Sequence, residues 1–328
     1  MLNEGTKRQQ MLRCALATLA TLSSVAVAAA QGYPDRPVRL IVPFAAGGAN
    51  DTIARLIQPH LEKALGQPVI VDNRPAASGI VGTDAVAKAA PDGHHLVLAF
   101  TTSTVNQAVN PKLPYDTEKD LAPIIMIGKS PLLFIVNAKV PAGSLAEFIA
   151  LAKASPGKLN YATPGATSQA HLLVAWWSGL AGIQMQHIPY RGGAPAVLGT
   201  VTGDAQLTVM SPMASMPQIQ AGALRPIAIG SLQRDPHFPD LPTVAEQGFP
   251  GFEAVAWCGL FTTVGTPKDV VARLNAEINR IIRDPQVAAR LEEQNLTPAG
   301  GSPEAFGTFV SAEIRRWREA ARAAKIIE

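Results

Sequence analysis

The sequence predicts an α/β fold whose core is a parallel sheet covered on both faces. Two observations carry this. Short apolar runs of strand length alternate with amphipathic runs of helix length, the pattern of parallel strands joined by crossover helices. Gly- and Pro-bearing turns punctuate that alternation. In such sheets ligands bind beyond the carboxyl ends of the strands, so function is sought in the loops that leave them.

The chain opens with Lys7, Arg8 and Arg13, an apolar run over residues 16–27, and Ala28-Ala29-Ala30. Basic stretch, apolar stretch and small-residue site together predict a secretory signal peptide over residues 1–30, cleaved near Ala30. Thr18, Thr21, Ser23 and Ser24 interrupt the apolar run, which is too short for a membrane span. Cys14 lies at its beginning, whereas a lipoprotein needs its Cys at the end. The expected product is a soluble periplasmic chain of roughly 300 residues, enough for two domains or one large one.

Val38, Leu40, Ile41 and Val42 read as a first buried strand, stopped by Pro43. A loop with Gly47 and Gly48 leads into a helix carrying Ile53, Leu56, Ile57 and Leu61 on one side, with Asn50 or Asp51 as its cap. Residues 68–72 read as a second strand, 73–79 as a loop and 80–90 as a helix. A third strand over 95–100 ends in the hydroxyl cluster Thr101, Thr102, Ser103 and Thr104. A polar, Pro-bearing connection covers 113–120.

Residues 132–136 read as a strand, the opening of a second lobe. Ser144 with Glu147 forms a capping box for a helix to about Ala154. Residues 158–171 repeat the earlier order of strand, Gly-bearing loop and helix onset, with Thr167 or Ser168 capping a helix to about Leu180. Strands follow at 186–190, 206–210 and 225–229. A helix after Arg191-Gly192-Gly193 is closed by Gly203-Asp204, and a short one covers 216–221. Residues 236–250 form a Pro-rich crossing, 254–261 a final strand, and helices at 267–283, 284–291 and 303–324 end the chain.

The first helix turn exposes unpaired N–H groups at the positive end of the dipole, and glycines let an anion approach them. The Gly47-Gly48 loop is therefore either a plain turn or a carboxylate or phosphate cradle. It is neither a dinucleotide fingerprint nor a P-loop, because Gly-x-Gly-x-x-Gly and Gly-Lys-Ser/Thr are absent and the loop has no Lys. The formal charge of +3 falls to about +1 once the signal is removed, with no basic block to recruit nucleic acid. Only Cys258 remains after cleavage, so no intrachain disulfide forms. His94-His95 lacks a second ligand pair at zinc-site spacing, so no metal is expected. Ser168 and His171 could share a helix face as nucleophile and base. No acid orients that His, and Ala166 and Ala170 stand where a nucleophile elbow needs glycines. An enzyme is not expected.

Ten ordered phrases carry a family resemblance. Among them are Pro43-Phe-x-x-Gly-Gly-x-x-Asp51, Asn73-Arg-Pro, Leu113-Pro-Tyr-Asp116, His187-Ile-Pro-Tyr-Arg-Gly-Gly-Ala-Pro195 and Gly248-Phe-Pro-Gly-Phe252. Across residues 33–327 the chain resembles the Bug-type solute receptors, the extracytoplasmic binding component of tripartite tricarboxylate transporters. The resemblance implies a periplasmic-binding-protein-like fold of two α/β lobes with the ligand between them. Lobe 1 would comprise 31–128 and 250–328, and lobe 2 would comprise 129–249. It further implies a small carboxylate ligand (di- or tricarboxylate, aromatic acid or amino acid), no cofactor, a monomer, and a membrane permease as partner. A sensor kinase that reads the closed form is the alternative partner. Lobes would close about crossings near 125–131 and 240–253.

Carried over by position, the implied ligand contacts are Phe44, Gly47, Gly48, Asn50 and Asp51; Thr101, Thr102 and Thr104; Thr163, Gly165, Thr167, Ser168, Gln169 and His171; and Asp204. Phe44 would form a ligand wall, Asp51 would orient its loop, and His171 would bond a neighbour. Arg191 reads as solvated or lobe-bridging and stays outside the site. Trp176, Trp177 and Trp257 read as core or interface. The chain departs from the family at Ala175-Trp176-Trp177-Ser178, where an acidic and a polar residue are usual.

Overall fold

The computed structural model describes residues 32–166, 168–323 and 326–327. The expected signal peptide, Thr167 and the last residue of the 303–324 helix, Ala324, lie outside the described residues.

The first part of the chain runs β1 (Val38–Val42), α1 (Ala49–Leu65), β2 (Val69–Asn73), a single 3-10 turn (Ala77–Gly79), α2 (Ile80–Ala87), β3 (His95–Phe100), α3 (Thr101–Val109) and β4 (Leu121–Pro131). The middle runs β5 (Leu133–Asn137), α4 (Leu145–Ala154), β6 (Asn160–Thr163), α5 (Gln169–Ala181), β7 (Gln186–Pro189), α6 (Gly193–Thr202), β8 (Leu207–Met210), α7 (Pro212–Gln220) and β9 (Leu224–Ile229). The last part supplies β10 (Val255–Thr263), α8 (Lys268–Arg283), α9 (Pro285–Glu293), β11 (Thr297–Pro298) and α10 (Pro303–Ala323).

Among the described residues the strands form two sheets, ordered β11-β4-β10-β3-β1-β2 and β7-β6-β8-β5-β9. β1 is parallel to β2 and β3, and β6 is parallel to β7 and β8, as the alternating pattern predicts. The sheets are nonetheless mixed. β10 runs antiparallel to β3 and β4, and β5 runs antiparallel to β8 and β9. These are the strands that carry the chain between sheets. Each enters its sheet from the other sheet, not by a helical crossover from a strand of its own, so the parallel crossover rule does not set its direction.

Helices cover both faces of the first sheet. Side chains alternate along β1, sending Val38, Leu40 and Val42 to one face and Ile41 to the other. The first face packs against Ile53, Ile57 and Leu61 of α1 and Leu274, Ile278 and Ile281 of α8. The second packs against Val86 of α2 and Phe306, Val310 and Ile314 of α10. Each such side chain stabilises the fold by roughly 1.5–3 kcal/mol through burial. The second sheet buries Phe134, Leu207 and Val209 with Phe148 of α4 and Trp177 of α5. Trp317, Ala320 and Ala321 of α10 join that same cluster. One helix therefore begins on the first sheet and ends in the core of the second.

A single residue, Leu132, separates β4 from β5. Its N–H donates to Ala254 O (2.8 Å), its carbonyl accepts Gly230 N–H (2.8 Å), and Ala254 N–H donates to Gly230 O (2.7 Å). A Cβ on Gly230 would sit 2.3 Å from Ala254 O, so only glycine fits the junction.

Several expectations need correction. Residues 125–131 are not a crossing: they are paired within β4, and the crossing is Leu132. Pro123 and Gly128 both lie inside β4. Gly128 is needed because a Cβ there would meet Thr297 O at 2.7 Å. The Thr101–Thr104 cluster is not a loop but the first turn of α3, which begins directly at the end of β3. Neither Asn50 nor Asp51 caps α1; the N-cap is Gly48, with no side-chain bond, and both residues lie inside the first turn. α2 stops at Ala87, and α7 starts at Pro212, a residue suited to the first helical position. The Ser144 cap forms, with its hydroxyl accepting Glu147 N–H, while Glu147 reaches back to Gly143 N–H.

Candidate functional site

The first cradle is the loop between β1 and α1. Asp51, only 2% exposed, organises it from within the helix. Its Oδ2 accepts Gly47 N–H (2.9 Å) and Arg55 Nε–H (2.8 Å), and its Oδ1 accepts Asn73 Nδ2–H (2.9 Å). The Arg55 hydrogen bond, joined by those from Gly47 and Asn73, outweighs burial and lowers the carboxyl to about 2. The loop-orienting role expected of Asp51 is therefore its observed bonding pattern. Because Arg55 pairs with this carboxylate, the cradle holds no uncompensated charge. Gly47 takes φ +78, which favours glycine, and lends its N–H to Asp51 rather than to a ligand. Among the described residues nothing accepts the N–H groups of Gly48 or Asn50. Phe44 is half-buried, edge-on to Phe100 at 5.4 Å, and its carbonyl accepts from Asn73.

At the end of β3, Thr101 Oγ1 accepts Trp257 N–H (2.9 Å) and Thr104 Oγ1 donates to Thr101 O (2.9 Å). Both residues are buried, so their hydroxyls tie α3 to β10 and to itself. Thr102 is the half-buried member of the cluster.

The second cradle is the loop between β6 and α5. Gly165 O accepts Thr163 Oγ1–H (3.0 Å), Ser168 Oγ–H (2.7 Å) and Ser168 N–H (3.2 Å). Ser168 caps α5 by accepting His171 N–H (3.3 Å). With its carbonyl held by three donors, the Gly165 peptide is fixed, and among the described residues no acceptor takes the Gly165 or Ala166 N–H. A Cβ on Gly165 would meet nothing within 4 Å, so the loop is open on that side. Gln169 Nε2 donates to Val255 O (2.7 Å), joining the onset of α5 to the start of β10. That end of β10 lies at the carboxyl edge of β3, since Cys258 pairs with Phe100. Gln169 therefore ties the carboxyl edge of one sheet to that of the other.

Asp204 does not belong with these groups. Its carbonyl accepts Asn160 Nδ2–H at the start of β6, the opposite end of that strand from Thr163. Four strand residues put it about 10 Å or more away. His171 Nδ1 meets Tyr161 Oη at 2.9 Å, the neighbour bond expected of it. Three contributors were missed: Asn73, which anchors both Phe44 and Asp51; Tyr161; and His187, whose ring stacks on His171. Asn73 was legible as part of Asn73-Arg-Pro. His187 was not, because its role depends on how β7 pairs with β6. Trp177 and Trp257 are core, and Trp176 is half-buried against Phe252 at 4.8 Å. A cavity of about 1120 Å³ between Gln107–Pro111 and Arg318 lies at the far end of α3 from Thr101, outside the cradle cluster.

Two α/β layers joined by tied crossings, with glycine loops at helix onsets beyond the strand ends, define a two-lobed binding protein of the periplasmic type. Solved structures of that type superpose on the chain. MatC from Rhodopseudomonas palustris with bound malate is 33% identical, with a TM-score of 0.73, covering 88% of this chain and 99% of its own. An R. palustris protein with adipate is 34% identical, with a TM-score of 0.77, covering 89% and 98%. The chain belongs to the tripartite tricarboxylate transporter family of receptors, whose model matches residues 53–326. Protein BugT of Bordetella pertussis is 38% identical over 301 residues, 91% of this chain and 92% of BugT.

Proposed function

We propose that the protein is a periplasmic receptor that captures a small carboxylate between its lobes and delivers it to the permease of a tripartite tricarboxylate transporter. The observation that carries this is the pair of cradles, each offering unengaged N–H groups at a helix onset, with the Arg55 cation of the first already paired to Asp51. Amide donors at a helix N-terminus hold an anion without an ion pair. Malate and adipate in the related structures support a carboxylate of this size.

In this reading the ligand meets Phe44, Gly48, Asn50 and Thr102 of lobe 1, and Gly165, Ser168 and Gln169 of lobe 2, with Gly47, Asp51, Thr101, Thr104, Thr163 and His171 holding these in place. Lobe 1 comprises 32–131 and 255–323, and lobe 2 comprises 133–253, bounded by the crossings. The mature chain acts as a monomer, and closure turns about Leu132, Gly230 and Ala254. Catalysis is not part of the proposal. Ser168 Oγ donates to Gly165 O and the His171 ring faces Tyr161, so the two do not form a nucleophile and base.

The test is thermal unfolding of the mature protein, refolded from denaturant to remove bound ligand, against a panel of carboxylates led by adipate and malate. A ligand at a hundred times its dissociation constant adds about 2.7 kcal/mol of stability. The expected result is a shift with one chemical group, lost in a folded Gly48→Val variant, where a Cβ meets only Ala45 O at 3.5 Å. No shift with any acid at millimolar concentration refutes the carboxylate reading.

A further inference from the structure

His187 lies on β7 directly opposite Tyr161 on β6, and Thr163, two residues along β6, shares the same face. Three rings stack there. The His171 and His187 centroids are 3.7 Å apart at 11°, and Tyr161 lies 5.0 Å from His187 at 22°. His187 Nε2 is 2.6 Å from Thr163 Oγ1. A hydroxyl carries one proton, and that of Thr163 goes to Gly165 O. Thr163 must therefore accept from His187, which fixes the proton of the neutral imidazole on Nε2. Burial, reinforced by His171, lowers His187 to about 4, so the ring is neutral near pH 7.

We propose that His187 is a positioning residue for ligand capture: through Nε2–H to Thr163, and Thr163 to the Gly165 carbonyl, it turns the Gly165–Ala166 peptide so that the Ala166 N–H faces the ligand. This rests on the receptor reading of the second cradle. The logic is a donor relay. Without the imidazole donor, the Thr163 hydroxyl loses the bond that holds its rotamer, and the Gly165 carbonyl loses one of its three donors. The stack on His171 and Tyr161 holds the imidazole plane at the angle the relay needs. Touching no ligand itself, His187 acts on whichever carboxylate the loop receives.

The experiment compares full-length mature wild type, His187→Leu and His187→Gln. The Gln amide can reach Thr163 with a comparable N–H, whereas Leu keeps bulk and loses the donor. Nitrogen-detected imidazole spectra read the tautomer, amide spectra read Gly165 and Ala166, and titration with adipate and malate reads affinity. The expected result is a proton on His187 Nε2, displaced Gly165 and Ala166 amide signals in His187→Leu, and at least a tenfold loss of affinity. His187→Gln should return affinity to within about threefold of wild type, with all three proteins melting at similar temperatures.

A proton on Nδ1 instead, or an unmoved Ala166 amide in His187→Leu, overturns the proposal without reference to any ligand. Equal loss of affinity in the Leu and Gln variants overturns it too, since a packing defect alone would do that. If the amides move as expected but no carboxylate binds wild type, the relay to the loop stands and the receptor reading is what fails.

Discussion

Asp51 and Asn73 are 22 residues apart in sequence and share a 2.9 Å hydrogen bond that fastens the onset of α1 to the end of β2. The same Asn73 amide also reaches Phe44 O, so one side chain holds both ends of the first cradle. Asp51→Ala should cost about 2–3 kcal/mol, because it leaves Gly47 N–H and the Asn73 amide without their acceptor. A double-mutant cycle with Asn73→Ala in urea should give a coupling above about 0.5 kcal/mol. Additive effects would mean the bond contributes nothing.

Acid should weaken the fold through the same carboxylate. Its pKa is lowered in the folded chain from an ordinary carboxyl value of 3.8 to about 2, so its stabilisation is present above the unfolded pKa and lost as pH falls through that window. Allowing for the half-exposed Arg55, the loss is on the order of 1 kcal/mol. Wild-type stability measured between pH 4 and pH 2 should fall more steeply than that of Asp51→Asn. Parallel slopes would contradict the assignment.

Gly230→Ala should be among the most damaging small substitutions, costing about 3 kcal/mol or more, because the new methyl overlaps Ala254 O and Ala254 Cβ at 2.3 and 2.6 Å. Calorimetry checks it. A melting temperature unchanged from wild type would show that the crossings can separate freely.

Gly165→Val should leave stability within about 1 kcal/mol, since a Cβ there meets nothing within 4 Å. It should abolish carboxylate binding by covering the loop's N–H groups. Isothermal titration with the acid that stabilises wild type most is the check, and retained affinity would move the ligand away from this loop.

Ser144→Ala should cost about 1 kcal/mol by removing the hydroxyl that accepts Glu147 N–H, with no effect on ligand affinity. Chemical unfolding monitored by circular dichroism measures it.

Much of this was legible in the chain. The strands from β1 to β3, the capped helix after Ser144, and both glycine loops follow from apolar runs and local caps, which are properties of neighbouring residues. What failed was non-local. β4 was hidden because Pro123 and Gly128 look like breakers, and they are tolerated only where β10 and β11 pair beside them. Thr101 and Thr104 look like free hydroxyls until Trp257 N–H arrives from a strand 156 residues away. Asp204 follows a glycine after a helix, as a ligand contact could, and only the direction of β6 reveals that it lies at the wrong end.

The first sheet is closed by β10, a strand that the ribosome makes well after β3 and β4. Until residues 255–263 emerge, β3 presents a bare edge and the apolar face of α1 lacks its partners on α8. The strands of the second sheet, β5 through β9, are contiguous in the chain, although its core is closed only when Trp317, Ala320 and Ala321 of α10 arrive. Vectorial delivery therefore favours assembly of the inner half first, with the N-terminal strands held as an aggregation hazard until the tail arrives. A truncation ending near residue 253 should consequently leave an adhesive, unfinished first half and a second half whose paired strands lack the α10 side chains that close its core.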